Sequence, residues 1–420
     1  MRIKELNIPF LKYIGINCII VLFIWISFFP QLIQEKYHFV INILLVLCFT
    51  ILFFRKRTSI FKLSDYPLWI FLAAISINVF FAQQKNIALK TYLDLTIPMF
   101  IIYYLVSEDF SSGKSFNLLV KTICISSIFV SLGGILESLF KFNPIYKYFI
   151  YNPYYTRYIT GFVRPMSTQY NPAPLGSYLV ASLPFNFLLF RGNKSLWRIL
   201  GAVGIVLNTV VLIFTFSRGA FLGLIAMSTF YLFMQRKYIS IAVFSTILVI
   251  FIFISSLFPY PLNRFSKDYI IADKGTAILS NYRIDRCLMT GHILKDHPFV
   301  GLGFQHFRIK FYEYYPHKNT IPYENMIADN MYLTVLAETG SAGFLGLFIF
   351  IISLFKKAWR KLHALSNMPQ KKQQLLLILS AFVGLLINMG GYELFYWPNP
   401  HIYFCILIGL IEANYRNIGT

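Results

Sequence analysis

The chain has 420 residues, of which 57% are hydrophobic and only 13% charged, with 44 Phe and 28 Tyr. An ordinary soluble domain is about 25% charged, and no water-facing surface could hide this apolar load. The composition excludes a set of soluble domains and makes this a polytopic membrane protein. The net charge of +21 then bears on membrane sidedness rather than on nucleic acid.

Runs of roughly 20 apolar residues, enough to cross about 30 Å of hydrocarbon, predict twelve spans in chain order. They are Leu11–Pro30, Phe39–Phe54, Tyr66–Ala82, Lys90–Val106, Leu118–Phe140, Pro174–Phe190, Leu196–Phe216, Gly219–Met234 and Ile239–Leu257, then Met331–Phe355, Leu375–Met389 and Pro400–Asn414. No small-residue cleavage site follows the first apolar run, so it is read as a retained span. Lys and Arg gather at Arg2–Lys12, Arg55–Lys62, Lys114–Lys121, Arg191–Arg198, Arg236–Lys237, Lys356–Lys372 and Arg416. The short loops of the opposite face hold only Lys36, Lys85, Lys90 and Arg218. This bias makes the first face, with both termini, cytoplasmic.

The fold expected is an all-α polytopic membrane protein of about twelve transmembrane helices. Residues 1–257 would hold spans one to nine, including an outer loop over 141–173. Residues 258–330 would form a mostly helical extracytoplasmic lid, and 331–420 the last three spans. Within the lid, Ser280–Lys295 has helical spacing that places Ile284, Leu288 and Ile293 on one face, and Pro298–Gly303 turns the chain back. The five cysteines form no disulfide framework or metal signature.

Four polar features fall on the outer side. They are Gly161–Pro172 with Arg164, Thr215–Ala220 with Arg218, the pair Arg283 and Arg286, and Ala328-Asp-Asn-Met-Tyr-Leu333 followed by Glu338-Thr-Gly340. Guanidinium groups meet phosphate oxygens in bidentate fashion, so Arg164, Arg218 and Arg283 predict an anion site suited to the diphosphate of a polyprenol-linked sugar. Asp329 is the candidate base, with Arg218 acting beside it in catalysis. Asn330, Asn171 and His297 are candidate sugar or acceptor contacts. The leaving group is already good, so charge stabilisation and a base suffice, and no metal or other cofactor is expected.

Plainer readings stand beside these. Arg218 would be a snorkelling interfacial cation, Arg164 an ordinary loop charge, and Asp329 a helix N-cap together with Asn330. Arg286 is read as part of a solvated helix face. His297, His306 and His317 lack metal-ligand spacing. Glu137 and Glu393, near outer helix ends, are candidate partners for the arginines.

In order along the chain, the Arg164 segment into Ser167-Thr-Gln-Tyr-Asn-Pro172, then Thr215-Phe-Ser-Arg-Gly-Ala-Phe-Leu222, Arg283 with Asp296-His-Pro-Phe-Val-Gly-Leu-Gly303, and Asn330–Gly340 resemble the O-antigen ligase and polymerase superfamily of bacterial envelope glycosyltransferases. The resemblance covers roughly Gly161 to Gly346. It implies an inverting, metal-independent transferase that takes a glycan from undecaprenyl diphosphate on the outer face of the inner membrane. The acceptor would be a sugar hydroxyl, on another lipid-linked repeat in a polymerase or on lipid A-core in a ligase. Arg218 and Arg283 would bind the diphosphate with Arg164 assisting, and a chain-length regulator would be a further partner. Many ligases carry histidine where this chain has Asp329, which favours the polymerase subtype. The alternative is a transporter or flippase of polyprenol-linked glycans, although no repeat relates the two halves.

Overall fold

The computed structural model describes residues 14–29, 31–56, 65–110, 113–143, 158–159, 162–192, 194–243, 274–316 and 327–416. Its helices are α1 (Ile14–Phe28), α2 (Gln31–Lys56), α3 (Tyr66–Phe81), α4 (Lys85–Asp109), α5 (Gly113–Phe140), α6 (Pro172–Phe190), α7 (Ser195–Phe214) and α8 (Arg218–Met234). Beyond them come α9 (Lys274–Asp296), the short turns α10 (His306–Ile309) and α11 (Phe311–Tyr314), α12 (Met331–Ala364), α13 (Pro369–Asn388) and α14 (Pro398–Arg416). A 3-10 turn at Leu394–Tyr396 joins the last two. Among the described residues, the departure from an all-helical chain is one short antiparallel pair, β1 (Tyr158–Ile159) with β2 (Phe162–Val163), in which Tyr158 faces Val163.

Five helices are long and apolar enough to cross a membrane (α4, α5, α6, α7 and α12), and shorter apolar stretches lie in α1, α2, α3 and α8. The expected Ile239–Leu257 span begins in a helical segment over 238–243, and its remainder lies outside the described residues. Of the expected lid, 258–273 and 317–326 also lie outside them.

The bundle is organised around α14. From Asn399 to Ala413 every residue of that helix is buried, and α14 packs along α4 and against α12 and α13. By contrast, Phe54, Phe80, Leu139, Phe140, Leu196 and Val206 present more than half of their surface to the outside, as helices facing lipid do. The α8–α13 crossing is close because glycines meet there: a Cβ on Gly219 would stand 3.2 Å from the Gly391 Cα. Small residues let membrane helices approach backbone to backbone in this way.

α12 is broken at Gly340, whose φ is 65° and ψ −168°. The break frees carbonyls, and the Asp296–Gly303 loop takes them. Leu302 N–H donates to Ala337 O at 3.0 Å and Gly303 N–H to Glu338 O at 2.9 Å, while Ser341 N–H returns to Pro298 O at 3.0 Å. A Cβ on Gly340 would lie 2.4 Å from the Phe299 carbonyl, so only glycine fits. The segment after the break, 341–364, is about 36 Å long at 1.5 Å per residue, enough for about 30 Å of hydrocarbon. The segment before it carries the polar groups described next.

Candidate functional site

Three starts of helices and one loop meet at the end of the bundle where α6, α8 and α12 begin. Asn171, Ser217 and Asn330 cap these helices. Asn171 Oδ1 accepts from Ala173 N–H at 3.0 Å, Ser217 Oγ from Ala220 N–H at 3.4 Å, and Asn330 Oδ1 from Tyr332 and Leu333 N–H at 2.9 and 3.2 Å. A side-chain oxygen at this position satisfies amides that the first turn leaves open. Asn330 therefore takes the capping role, and Asp329 is left for something else.

The loop from Val163 to Asn171 is held from several sides. Glu137 Oε2 accepts from the N–H of Met166 and Ser167 at 2.9 and 2.7 Å. Ser167 Oγ donates to Val130 O at 2.8 Å, Thr168 Oγ1 to Ser27 O at 2.7 Å, and Asn399 Nδ2 to Gln169 Oε1. The Tyr170 ring lies 6.2 Å from that of Trp397. So Glu137, expected beside the arginines, holds loop amides instead.

Arg164 is buried, and its Nε donates to Thr215 O at 2.8 Å. That carbonyl lies three residues before Arg218, which is half-buried at the first position of α8. The turn between α7 and α8 is only three residues long, Thr215 to Ser217, and sets Phe216 at φ 47°. Thus the Arg164 and Arg218 segments are brought together.

Asp329 has φ 49°. Its Oδ2 accepts from Arg286 Nη1 at 2.7 Å, with Arg286 1% exposed and Asp329 35% exposed. This overturns the reading of Arg286 as solvated. On α9 the inward face is Asp285, Arg286, Met289, Thr290 and Ile293, whereas Ile284 and Leu288 point out at 58% and 49% exposure. The expected apolar face is likewise corrected: Ile293 is buried, but Ile284 and Leu288 are not its companions. The reason is that the inner face of α9 is mixed, with Asp285, Arg286 and Thr290 buried beside Met289 and Ile293. Arg283 is exposed one turn from Arg286.

Glu393, on the connection between α13 and α14, closes the site from behind. Its Oε1 accepts from Ala328 N–H at 3.0 Å and Thr334 Oγ1 at 2.8 Å. Burial pushes its carboxyl above the ordinary range. The bonds from Ala328 and Thr334 oppose that rise, as does Arg286, whereas Asp329 adds to it. Met331 N–H donates to Met389 O at 2.8 Å, which ties the start of α12 to the end of α13 beside the Gly219–Gly391 contact.

His297 is exposed at the end of α9. Eleven residues of helix separate it from Arg286, roughly 16 Å of axial rise, so it is not brought to Asp329. His306 is fully buried, with Nε2 accepting from Gln84 N–H at 3.0 Å and Nδ1 2.8 Å from Phe304 O. Both ring nitrogens are thereby occupied in holding two loops together. His317 lies outside the described residues.

Of seven non-glycine residues with positive φ among those described, Ser167, Tyr170, Phe216 and Asp329 belong to these converging segments. Such conformations cost on the order of 1–3 kcal/mol each and cluster at functional sites. Sequence reasoning missed Arg286 and the Glu393 contacts. The signal for Arg286 was an arginine and an aspartate side by side on a helix whose neighbours alternate apolar and polar without a clean stripe.

Residues 202–351 match the family model described as O-antigen ligase. The matched stretch takes in Arg218, Arg283, Arg286 and Asp329, while Arg164, Asn171 and Glu393 lie outside it. No curated protein sequence matches the chain.

Proposed function

We propose that the protein is a multi-pass membrane glycosyltransferase of the O-antigen ligase and polymerase type, working at the outer face of the bacterial inner membrane. It would invert the anomeric centre and need no metal. The donor would be a glycan on undecaprenyl diphosphate and the acceptor a sugar hydroxyl. The observation that carries this reading is that the Arg164–Arg218 junction and the half-exposed Asp329 lie at the same end of the bundle, with strained backbone at Phe216 and Asp329, and that residues 202–351 match that family.

In the step proposed, Asp329 takes the proton of the acceptor hydroxyl. The hydroxyl oxygen forms the new bond to the anomeric carbon, and the bond from that carbon to the diphosphate oxygen breaks. The electron pair leaves on the diphosphate, where Arg218 and Arg283, with Arg164 beside them, neutralise it. Asn330 and Asn171 remain the proposed sugar contacts, and His297, set apart from Asp329, would meet only a more distant sugar of the glycan. Asn171 and Asn330 would serve through their amide groups, because their Oδ1 atoms cap helices. Aspartate in place of the ligase histidine favours a growing lipid-linked glycan as acceptor.

The test is incubation of purified protein in detergent with an undecaprenyl diphosphate-linked repeat unit and EDTA, products being resolved by gel. A ladder of longer lipid-linked glycans is expected, lost in Arg218→Ala and Asp329→Asn. Transfer only when lipid A-core is added would make it a ligase. Donor binding without transfer to any acceptor would replace the transferase by a transporter.

A further inference from the structure

Asp329 is held directly by Arg286, and its chain neighbours by Glu393, from different parts of the chain. Arg286 reaches it from α9, fully buried, and takes Oδ2 at 2.7 Å. Glu393, on the α13–α14 connection and 7% exposed, takes the N–H of Ala328, the residue immediately before Asp329. The same Glu393 Oε1 accepts from Thr334 in the first turn of α12, so one oxygen bridges the strained residue's two flanks. No other bond engages Glu393 Oε2 among the described residues. Among the described residues, ionisable groups near the pair include Asp285, bonded by Tyr315 OH at 3.0 Å, exposed Arg283, and Glu338, which accepts from Tyr396 OH.

A guanidinium opposes protonation of a carboxylate it touches. We propose that Arg286 and Glu393 are positioning residues for Asp329. Arg286 fixes one carboxylate oxygen so that the other faces the acceptor, and Glu393 holds Ala328, the residue before left-handed Asp329. This rests on the transferase reading above and adds to it two residues, one of them outside the matched family region.

The test is the pH–rate profile of glycan transfer, with donor affinity measured on the same preparations, for Glu393→Gln, Arg286→Gln and Arg286→Lys. Glutamine at 393 keeps an acceptor for Ala328 and Thr334, so kcat is expected to fall less in Glu393→Gln than in Arg286→Gln, whose acid limb moves to higher pH. In Arg286→Gln, kcat falls roughly 10²-fold, the scale of a misplaced catalytic group, with KM for the donor nearly unchanged. Lysine at 286 recovers part of the loss. A structural role alone would lower the amount of folded protein and leave the limbs where they are. An unshifted limb in folded, donor-binding Arg286→Gln overturns the proposal while transfer lost in Asp329→Asn keeps the transferase reading. Absence of transfer in the unaltered protein overturns both.

Discussion

The two ends of the helix bundle both hold charged side chains among apolar helices, and they treat them in opposite ways. At the end where α14 finishes, Arg416 meets Asp65 at 2.8 Å, Glu412 at 3.1 Å and Glu108, and Lys357 takes the other Glu412 oxygen at 2.7 Å. Tyr103 and Tyr104 hydroxyls each donate to Asp65 at 2.9 Å. None of these residues has a left-handed backbone. At the end where α12 begins, a buried arginine meets an aspartate that stays 35% exposed on a strained residue. The first cluster is closed, with each carboxylate answered from within. The second is open, and its strain persists only because the surroundings impose it. What sets the proposed site apart from the far cluster is therefore not charge burial but an exposed carboxylate on a strained residue.

The sharpest way to break that comparison is to remove one charge at each end. Asp329→Asn is expected to lower transfer by about 10²–10⁴-fold, the contribution of a general base, while the thermal denaturation midpoint stays close to its original value. Arg416→Ala removes the guanidinium that meets Asp65, which is 0% exposed. Breaking a buried pair costs about 3–5 kcal/mol, so the midpoint should drop clearly, while the protein that remains folded transfers at its usual rate. A stable but inactive Arg416→Ala would make the far cluster part of the machinery and erase the distinction.

Gly340→Ala probes how the open end is supported. The left-handed φ costs a non-glycine residue about 1–3 kcal/mol, and the Cβ meets the Phe299 carbonyl. The Phe299–Gly303 loop should lift off the break in α12, lowering both the denaturation midpoint and the rate. Loss of the rate with no change in the midpoint would mean that the loop touches substrate directly.

The helices were legible because a membrane demands long apolar runs: all expected spans with described residues fall on helical segments. The Arg164 and Arg218 segments were legible because a charge so close to an apolar span is costly. What escaped depends on pairings far apart in sequence. Arg286 meets Asp329 across 43 residues and Arg416 meets Asp65 across 351, and no local pattern records either. α9 misled because periodicity assumes that the apolar side faces in, whereas its inner face is mixed. The choice between Asp329 and Asn330 as cap turned on a one-residue register that composition does not set.

A smaller effect separates the two ends by pH. Burial raises the Glu393 carboxyl in the folded protein, so the folded state holds that proton more firmly than the unfolded chain does. The stability this group contributes is full below the usual carboxylate range, about 4.3, and is lost as pH rises through the raised value. Glu393→Gln removes that loss. Its denaturation midpoint, measured in detergent across this window, should vary less with pH than that of the unaltered protein and stand higher at the alkaline end. An unchanged pH dependence would mean that Glu393 ionises as freely when folded as when unfolded.

The smallest effect divides the two halves of a single side chain. Asn330 Oδ1 is occupied by the N–H groups of Tyr332 and Leu333, so only its amide NH₂ is left to meet a sugar. Asn330→Ala loses the cap and should cost about 1 kcal/mol, read as a modest fall in the denaturation midpoint. Asn330→Asp keeps an oxygen for both amides and should hold the midpoint, but it has no hydrogens to donate. If the NH₂ holds the glycan, KM for the lipid-linked donor or its acceptor rises in Asn330→Asp as much as in Asn330→Ala. Equal KM in Asn330→Asp and the unaltered protein would confine Asn330 to capping, and Asp329 would then stand as the reacting side of that turn.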